Sequence, residues 1–343
     1  MSLLLLLACQ GGADTAPAVD YTDVLTVLAE DFALAKYTEF VSQADEMSQA
    51  AAALCKAPTE ASLTAAREAW WSARAPWKNT EIVNFGPVVE YPDRLGPKLD
   101  DWPVNAAAVE ELVVGKDELD FSKMGSATRG LPVVEYLLWE GGDEALSMLT
   151  KTPRRCAVLA GAAADVHDNA VLLMDSWQTA WIPQVTDPAS VEDGFYETQQ
   201  EVFDEWNNRM VFTVENIRAE KLGKPIGDSS GGEPQPDTIE SRPSGRSLTD
   251  AVDALDGVQG VWEVGIRGLM ADEPELVETI DSLLVESRAR ISAIPETLED
   301  TASLQPEVVG YAQEALLALQ VAIQVDLLQS LGVTPAFNDN DGD

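Results

Sequence analysis

Leu316-Leu317-Ala318-Leu319-Gln320-Val321-Ala322-Ile323-Gln324-Val325-Asp326-Leu327 sets apolar side chains at Leu316, Leu319, Ile323 and Leu327, the three- and four-residue steps that a helix brings onto one face. The pattern fills residues 306–331 and begins at Pro306, a residue suited to a first helical turn. The same period recurs over 22–54, 60–75, 154–182, 191–222, 247–270 and 274–294. Thr59 and Ser247 are N-cap types, and Pro153 suits another first turn. No alternating β-branched run bounded by turns demands a strand. The expectation is an all-α, bundle-like protein.

Two stretches break the period. Gly227-Asp228-Ser229-Ser230-Gly231-Gly232-Glu233-Pro234-Gln235-Pro236 is too rich in breakers for helix, so residues 223–246 read as a linker loop between helical domains at 21–222 and 247–343. The second runs from Asn79 through Gly86-Pro87, Gly96-Pro97 and Trp102-Pro103 to about Gly130, and is long for a bundle loop. Long structured loops on rigid scaffolds often carry function.

With 343 residues, 45% of them hydrophobic, the chain can bury a sizeable core, and its length suits two domains. Lys and Arg total 22 against 59 for Asp and Glu, a formal charge of −37 that repels phosphate backbones and anionic lipid surfaces. Nucleic acid is therefore not an expected partner. The acids are spread along the chain, which fits a generally acidic surface as well as cation binding. Besides Cys9 there are Cys55 and Cys156; an exported compartment would let them pair, but their positions do not decide it. Apart from the N-terminal run, no stretch reads as long and apolar enough to span a bilayer.

Within Arg129-Gly130-Leu131-Pro132-Val133-Val134-Glu135-Tyr136-Leu137-Leu138-Trp139, Gly130 permits a sharp turn into a helix that Pro132 can start. Helical neighbours of Glu135 are Leu131, Pro132, Leu138 and Trp139, so no basic residue shares its face. Glu135 is thus either a solvated residue near a helix N-terminus or a buried anion answered from elsewhere in the fold. The apolar neighbours favour the second reading. Arg74, Trp77 and Glu81 form another run at helical spacing, Asp100, Asp101 and Trp102 follow in the long loop, and Glu240-Ser241-Arg242-Pro243-Ser244 closes the breaker-rich segment. Taken singly, an Arg–Glu pair is a surface ion pair and a tryptophan is core.

Taken in order, these stretches resemble the imelysin-like family of exported bacterial proteins, which includes iron-regulated lipoproteins. The resemblance rests on Ala69 to Trp77 with Glu81, on Asp101-Trp102-Pro103, on Gly130 to Leu138, on Lys221 to Gly227 leading to Glu240-Ser241, and on Leu331-Gly332-Val333 leading to Phe337 through Asp343. It implies two domains, each resembling a four-helix bundle, with a site in the cleft where the family's Gly-x-His-x-x-Glu motif sits. Here the motif reads Gly130-x-Pro132-x-x-Glu135, with proline in place of the ligand histidine. The family is named for a proposed metallopeptidase activity, yet the chain's single histidine, His167, has no partner histidine four residues away. Three nitrogen-rich zinc ligands cannot be assembled.

The resemblance leaves Glu81, Asp100, Glu135 and Glu240 as oxygen ligands for a hard cation such as iron or calcium. Arg74 and Arg129 offer an anion site as the alternative, with Glu135 holding one of them. Trp77, Trp102, Gly130, Pro132, Ser241 and Ser244 complete the expected site. Asp339-Asn340-Asp341-Gly342-Asp343 places its glycine too early for a calcium loop and lacks the twelfth-position glutamate. Met1 to Ala8 followed by Cys9 resembles the end of a lipoprotein signal peptide with Cys9 as the lipidation point, making residues 1–20 a signal remnant and tether. The function expected is a non-catalytic binding lipoprotein, anchored in the periplasm or at the outer membrane surface, that serves iron or other cation acquisition with iron-uptake partner proteins. A divergent metallopeptidase and a carbohydrate- or partner-binding surface lipoprotein are the rivals.

Overall fold

The computed structural model describes residues 19–295 and 297–336, so Cys9 and the acidic C-terminal run lie outside the described residues. Within the described residues the ordered elements are helical, with no strand. Among the described residues nine longer helices organise the fold: α1 (22–56), α2 (Glu60–Asn79), α3 (Ala106–Val114), α4 (Leu131–Trp139), α5 (Pro153–Thr186), α6 (199–226), α7 (247–266), α8 (Pro274–Ser292) and α9 (Pro306–Leu331).

Caps explain several boundaries. The Thr59 hydroxyl accepts from the Ser62 N–H at 3.1 Å while the Ser62 hydroxyl accepts from the Thr59 N–H at 2.9 Å, a reciprocal cap that starts α2. α6 begins at Gln199 rather than near residue 191, because the Thr198 hydroxyl accepts from the Glu201 N–H at 3.3 Å. α2 also outruns its expected end by continuing through Pro76. Proline forfeits one helical hydrogen bond there. The turn that follows is pinned by the Thr80 hydroxyl on the Trp77 carbonyl at 2.7 Å and by the Asn79 amide on the Asp253 carbonyl at 2.8 Å.

α1, α2, α4 and α5 pack as one bundle, and α6, α7, α8 and α9 as a second. The bundles meet along α2 and α7, where Gly257 lets the backbones close: a Cβ there would stand 2.1 Å from the Asn79 carbonyl oxygen. Buried apolar side chains run as one continuous cluster from Leu25 to Val333, through Trp70, Trp177, Trp206 and Trp262. Cys55 and Cys156 are joined as a disulfide, tying the end of α1 to the start of α5. By length and composition α5 and α9 are each apolar enough to cross a membrane, contrary to the sequence reading, yet Val158, Leu159, Leu316, Leu319 and Ile323 are buried within the protein.

The long region between α2 and α4 is only partly irregular. Asn105 caps α3 by accepting from the Ala108 N–H at 3.1 Å, and a short turn at Gly96–Leu99 precedes Asp100. Gly130, at φ +86°, brings the start of α4 against that turn: a Cβ would sit 2.6 Å from the Leu99 carbonyl oxygen. The two motif-bearing segments are thereby locked side by side.

Candidate functional site

The end of α2 delivers Arg74, Trp77 and Lys78, one helical turn deep, into the junction between the bundles. Arg74 is almost wholly buried and uses three nitrogens on three carboxylates: Nη1 donates to Asp100 Oδ1 at 2.7 Å, Nη2 to Glu240 Oε1 at 2.7 Å, and Nε to Asp250 Oδ2 at 3.0 Å. Its guanidinium also lies over the Trp70 ring, 5.5 Å from the centroid. Lys78, also fully buried, donates to Glu81 Oε1 at 2.5 Å, to Asp100 Oδ2 at 3.0 Å and to Glu240 Oε1. Lys221 arrives from a π-helical stretch of α6, Ile217–Gly223, and donates to Glu81 Oε1 at 2.9 Å and to Glu240 Oε2. Trp77 Nε1 completes the cluster on Asp100 Oδ2 at 2.7 Å.

Burial alone would raise the carboxyl of Glu240, but Lys221, Lys78 and Arg74 outweigh it and hold that group well below the usual carboxylate range. Burial acts the same way on Asp100, and Arg74 and Lys78 again prevail, so its value is lowered. Burial and Arg74 both work against the Lys78 charge, yet Asp100, Glu240 and Glu81 keep the ammonium well above its ordinary value. Glu240, Asp100 and Lys78 are thus all charged at neutral pH.

This cluster floors a groove of about 780 Å³. Trp102, Val88 and Phe212 supply apolar wall, while Arg209, Lys221 and Lys224 bring basic groups to its sides. A volume of this size suits an organic ligand. Four of the chain's 22 basic residues, Lys78, Arg209, Lys221 and Lys224, line the groove beside five acids, Glu81, Asp100, Asp101, Glu220 and Glu240, a near balance in a chain where acids outnumber bases 59 to 22.

Glu135 stands behind this floor, outside the groove lining. It is 4% exposed, as the apolar neighbours on α4 imply, but among the described residues no lysine or arginine bonds to it. Its Oε1 accepts from the backbone N–H of Ser244 at 3.0 Å. Burial pushes the carboxyl up to about 7, against the opposing pull of Ser244 and the more distant Arg74. Arg129 is spoken for as well: Nε and Nη2 hold Asp165 Oδ2 and Oδ1 at 2.8 and 2.5 Å. Neither arginine is therefore held by Glu135. Ser241, at φ +50°, donates its hydroxyl to Asp250 Oδ2 at 2.5 Å, and the Ser244 hydroxyl donates to the Ser241 carbonyl at 3.1 Å. The 223–246 segment, read as a linker, in this way supplies the groove floor with Glu240 and gives Glu135 a donor in the Ser244 N–H.

The four expected oxygen ligands do not form one set. Glu81, Asp100 and Glu240 converge, but on the ammonium groups of Lys78 and Lys221, and Glu135 is turned to Ser244. Among the described residues no cluster of three or more His, Cys, Asp or Glu side chains is arranged to hold a metal ion. The motif position fits no resident metal either, since Pro132 has no ligand atom and Glu135 is its sole carboxylate. His167 lies elsewhere, on α5, with its Nδ1 3.6 Å from Asp168. Lys78, Lys221 and Asp250 are members of the site that the sequence reading passed over.

The order of these segments along the chain matches the imelysin (peptidase M75) family model over residues 33–325. The chain belongs to the imelysin family. Iron-regulated protein A of Synechococcus elongatus is 26% identical over 348 residues, spanning 94% of this chain and 92% of the relative. Among solved structures, an imelysin-like protein from Psychrobacter arcticum superposes with a TM-score of 0.79 at 19% identity, covering 92% of this chain and 97% of its own. A putative iron-regulated protein A precursor from Parabacteroides distasonis does so with a TM-score of 0.75 at 18% identity, covering 90% and 95%. These two establish the shared imelysin-like fold.

Proposed function

We propose that this chain is a non-catalytic binding protein of the imelysin family, exported and anchored at the cell envelope through Cys9, that serves iron acquisition with the groove above Lys78 and Lys221 as its ligand site. One observation carries the non-catalytic part: at the family motif, Pro132, which has no ligand atom, stands where the resemblance places histidine, and Glu135 Oε1 accepts from the backbone N–H of Ser244. The iron assignment is supported by the name of the cyanobacterial relative and by that of the Parabacteroides structure, whose designation as a precursor also favours export. The groove's size and its mixture of aromatic and basic walls support binding of an organic molecule or an iron complex.

Deletion of the gene, scored by uptake of radiolabelled iron under iron limitation, tests the role: uptake falls and returns with the wild-type chain but not with Lys221→Met. Unchanged uptake refutes it. Incubation with casein, with and without chelator, separates the peptidase rival, for which chelator-sensitive cleavage is required. Cys9→Ser is expected to move the protein from the membrane to the soluble fraction.

A further inference from the structure

The groove floor contains a coordination pattern whose centre is a side chain. Three carboxylate oxygens, from Glu81 after α2, Asp100 after the Gly96–Leu99 turn and Glu240 before α7, surround Lys78 Nζ, and the ammonium spends all three of its protons on them. Oxygen donors from separate chain segments around one positive centre are what a hard cation takes. We propose that Lys78 is the groove's own cation, a specificity-determining residue that excludes bare hard metal ions from the site.

Charge supports this assignment. Arg74, Lys78, Lys221 and Arg246 contribute four formal positive charges, and the carboxylates they touch, Glu81, Asp100, Glu240, Asp250 and Asp253, contribute five formal negative ones. The net is −1. Removing Lys78 leaves −2, the charge that a divalent ion neutralises; with Lys78 in place the same ion drives the floor to +1. The ammonium cannot readily step aside, because it is buried, rises from a packed helix, and would abandon three partners at once. Tethering also gives it an effective concentration that a free ion must outcompete. A chain with a formal charge of −37 draws cations to its surface, so a site that serves an organic ligand benefits from such an internal block. The assignment goes beyond the binding reading and does not rest on it.

Terbium(III) luminescence excited through tryptophan tests it on the full chain, since Trp77 Nε1 lies 2.7 Å from Asp100 Oδ2. Wild type is expected to show no saturable emission that depends on Asp100. Lys78→Ala gains a site at least about a hundredfold tighter, its melting temperature rises on addition of calcium, and Asp100→Asn in that background abolishes both effects. Wild-type binding that Asp100→Asn removes overturns the proposal, as does a folded Lys78→Ala protein with no gained site. Should Lys78→Ala fail to fold even with calcium, Lys78→Gln replaces it in the same assay, and the same two results decide.

Discussion

Glu135→Gln replaces a carboxyl that the fold keeps from water with an amide of nearly the same shape. In the folded protein the carboxyl titrates near 7, against an ordinary value of 4.5. The folded state thus holds this proton more tightly than the unfolded chain does. Its stabilising contribution is complete below pH 4.5 and is lost as pH rises through about 7. The interval is about 2.5 pH units, which at about 1.36 kcal/mol each amounts to about 3 kcal/mol of destabilisation in the ionised state. Glutamine carries no such charge and still offers an acceptor oxygen to the Ser244 N–H. In urea unfolding at pH 8 the variant is expected to be more stable than wild type by about 2–3 kcal/mol, with the gap closing by about pH 5. A pH-independent difference, or a variant weaker than wild type at pH 8, refutes the view that Glu135 is an unpaired buried acid.

Arg74→Met removes the cation that Asp100, Glu240 and Asp250 share, leaving Lys78, Lys221 and Arg246 to answer them, and should cost about 3 kcal/mol at pH 8, less at pH 5, by chemical denaturation. Asp100 and Glu240, both held below their ordinary values of 3.8 and 4.5, contribute stability that is present above those values and lost as pH falls beneath them. Wild-type circular dichroism melts should therefore drop steeply below about pH 4. The Cys55–Cys156 bond closes a loop with a sequence separation of 101, so its reduction, or Cys156→Ser, should remove about 4–5 kcal/mol by the chain-entropy argument. A differential scanning calorimeter would read this as a fall on the order of 5–10 °C.

How far the sequence reaches into this protein depends on the range of the interaction concerned. The long helices were legible because their signal is local: Leu316, Leu319, Ile323 and Leu327 need only the helical period to find the core. Pro76 misled because a proline's lost hydrogen bond is a local cost, whereas the contacts that carry α2 onward, Trp77 to Asp100 and Asn79 to Asp253, come from distant segments. Burial of Glu135 could be read from its apolar flanks. Its partner could not, because a backbone N–H at Ser244, 109 residues away, leaves no mark in side-chain chemistry.

The groove shows the same division. Of the four carboxylates that the sequence offers as ligands for a hard cation, Glu81, Asp100 and Glu240 lie together around Lys78 and Lys221, and Glu135 lies apart on the Ser244 N–H. The sequence does not reveal the positive centre they surround. Lys78, at the end of a helix, reads as an ordinary last-turn lysine, and Lys221 sits in the polar run Arg218-Ala219-Glu220-Lys221. The available clue was charge: four acids gathered by one cleft require cations, and Lys78 lies four residues after Arg74 on the same helical face.

An iron-edge anomalous difference map, from crystals of the chain equilibrated anaerobically with ferrous ion at neutral pH, tests most directly the claim that these carboxylates are answered from within the chain. The expected map shows unbroken side-chain density for Lys78 among Glu81, Asp100 and Glu240, with no iron peak beside them or beside Glu135. An iron peak within bonding distance of Glu135 or Glu240 would contradict the account.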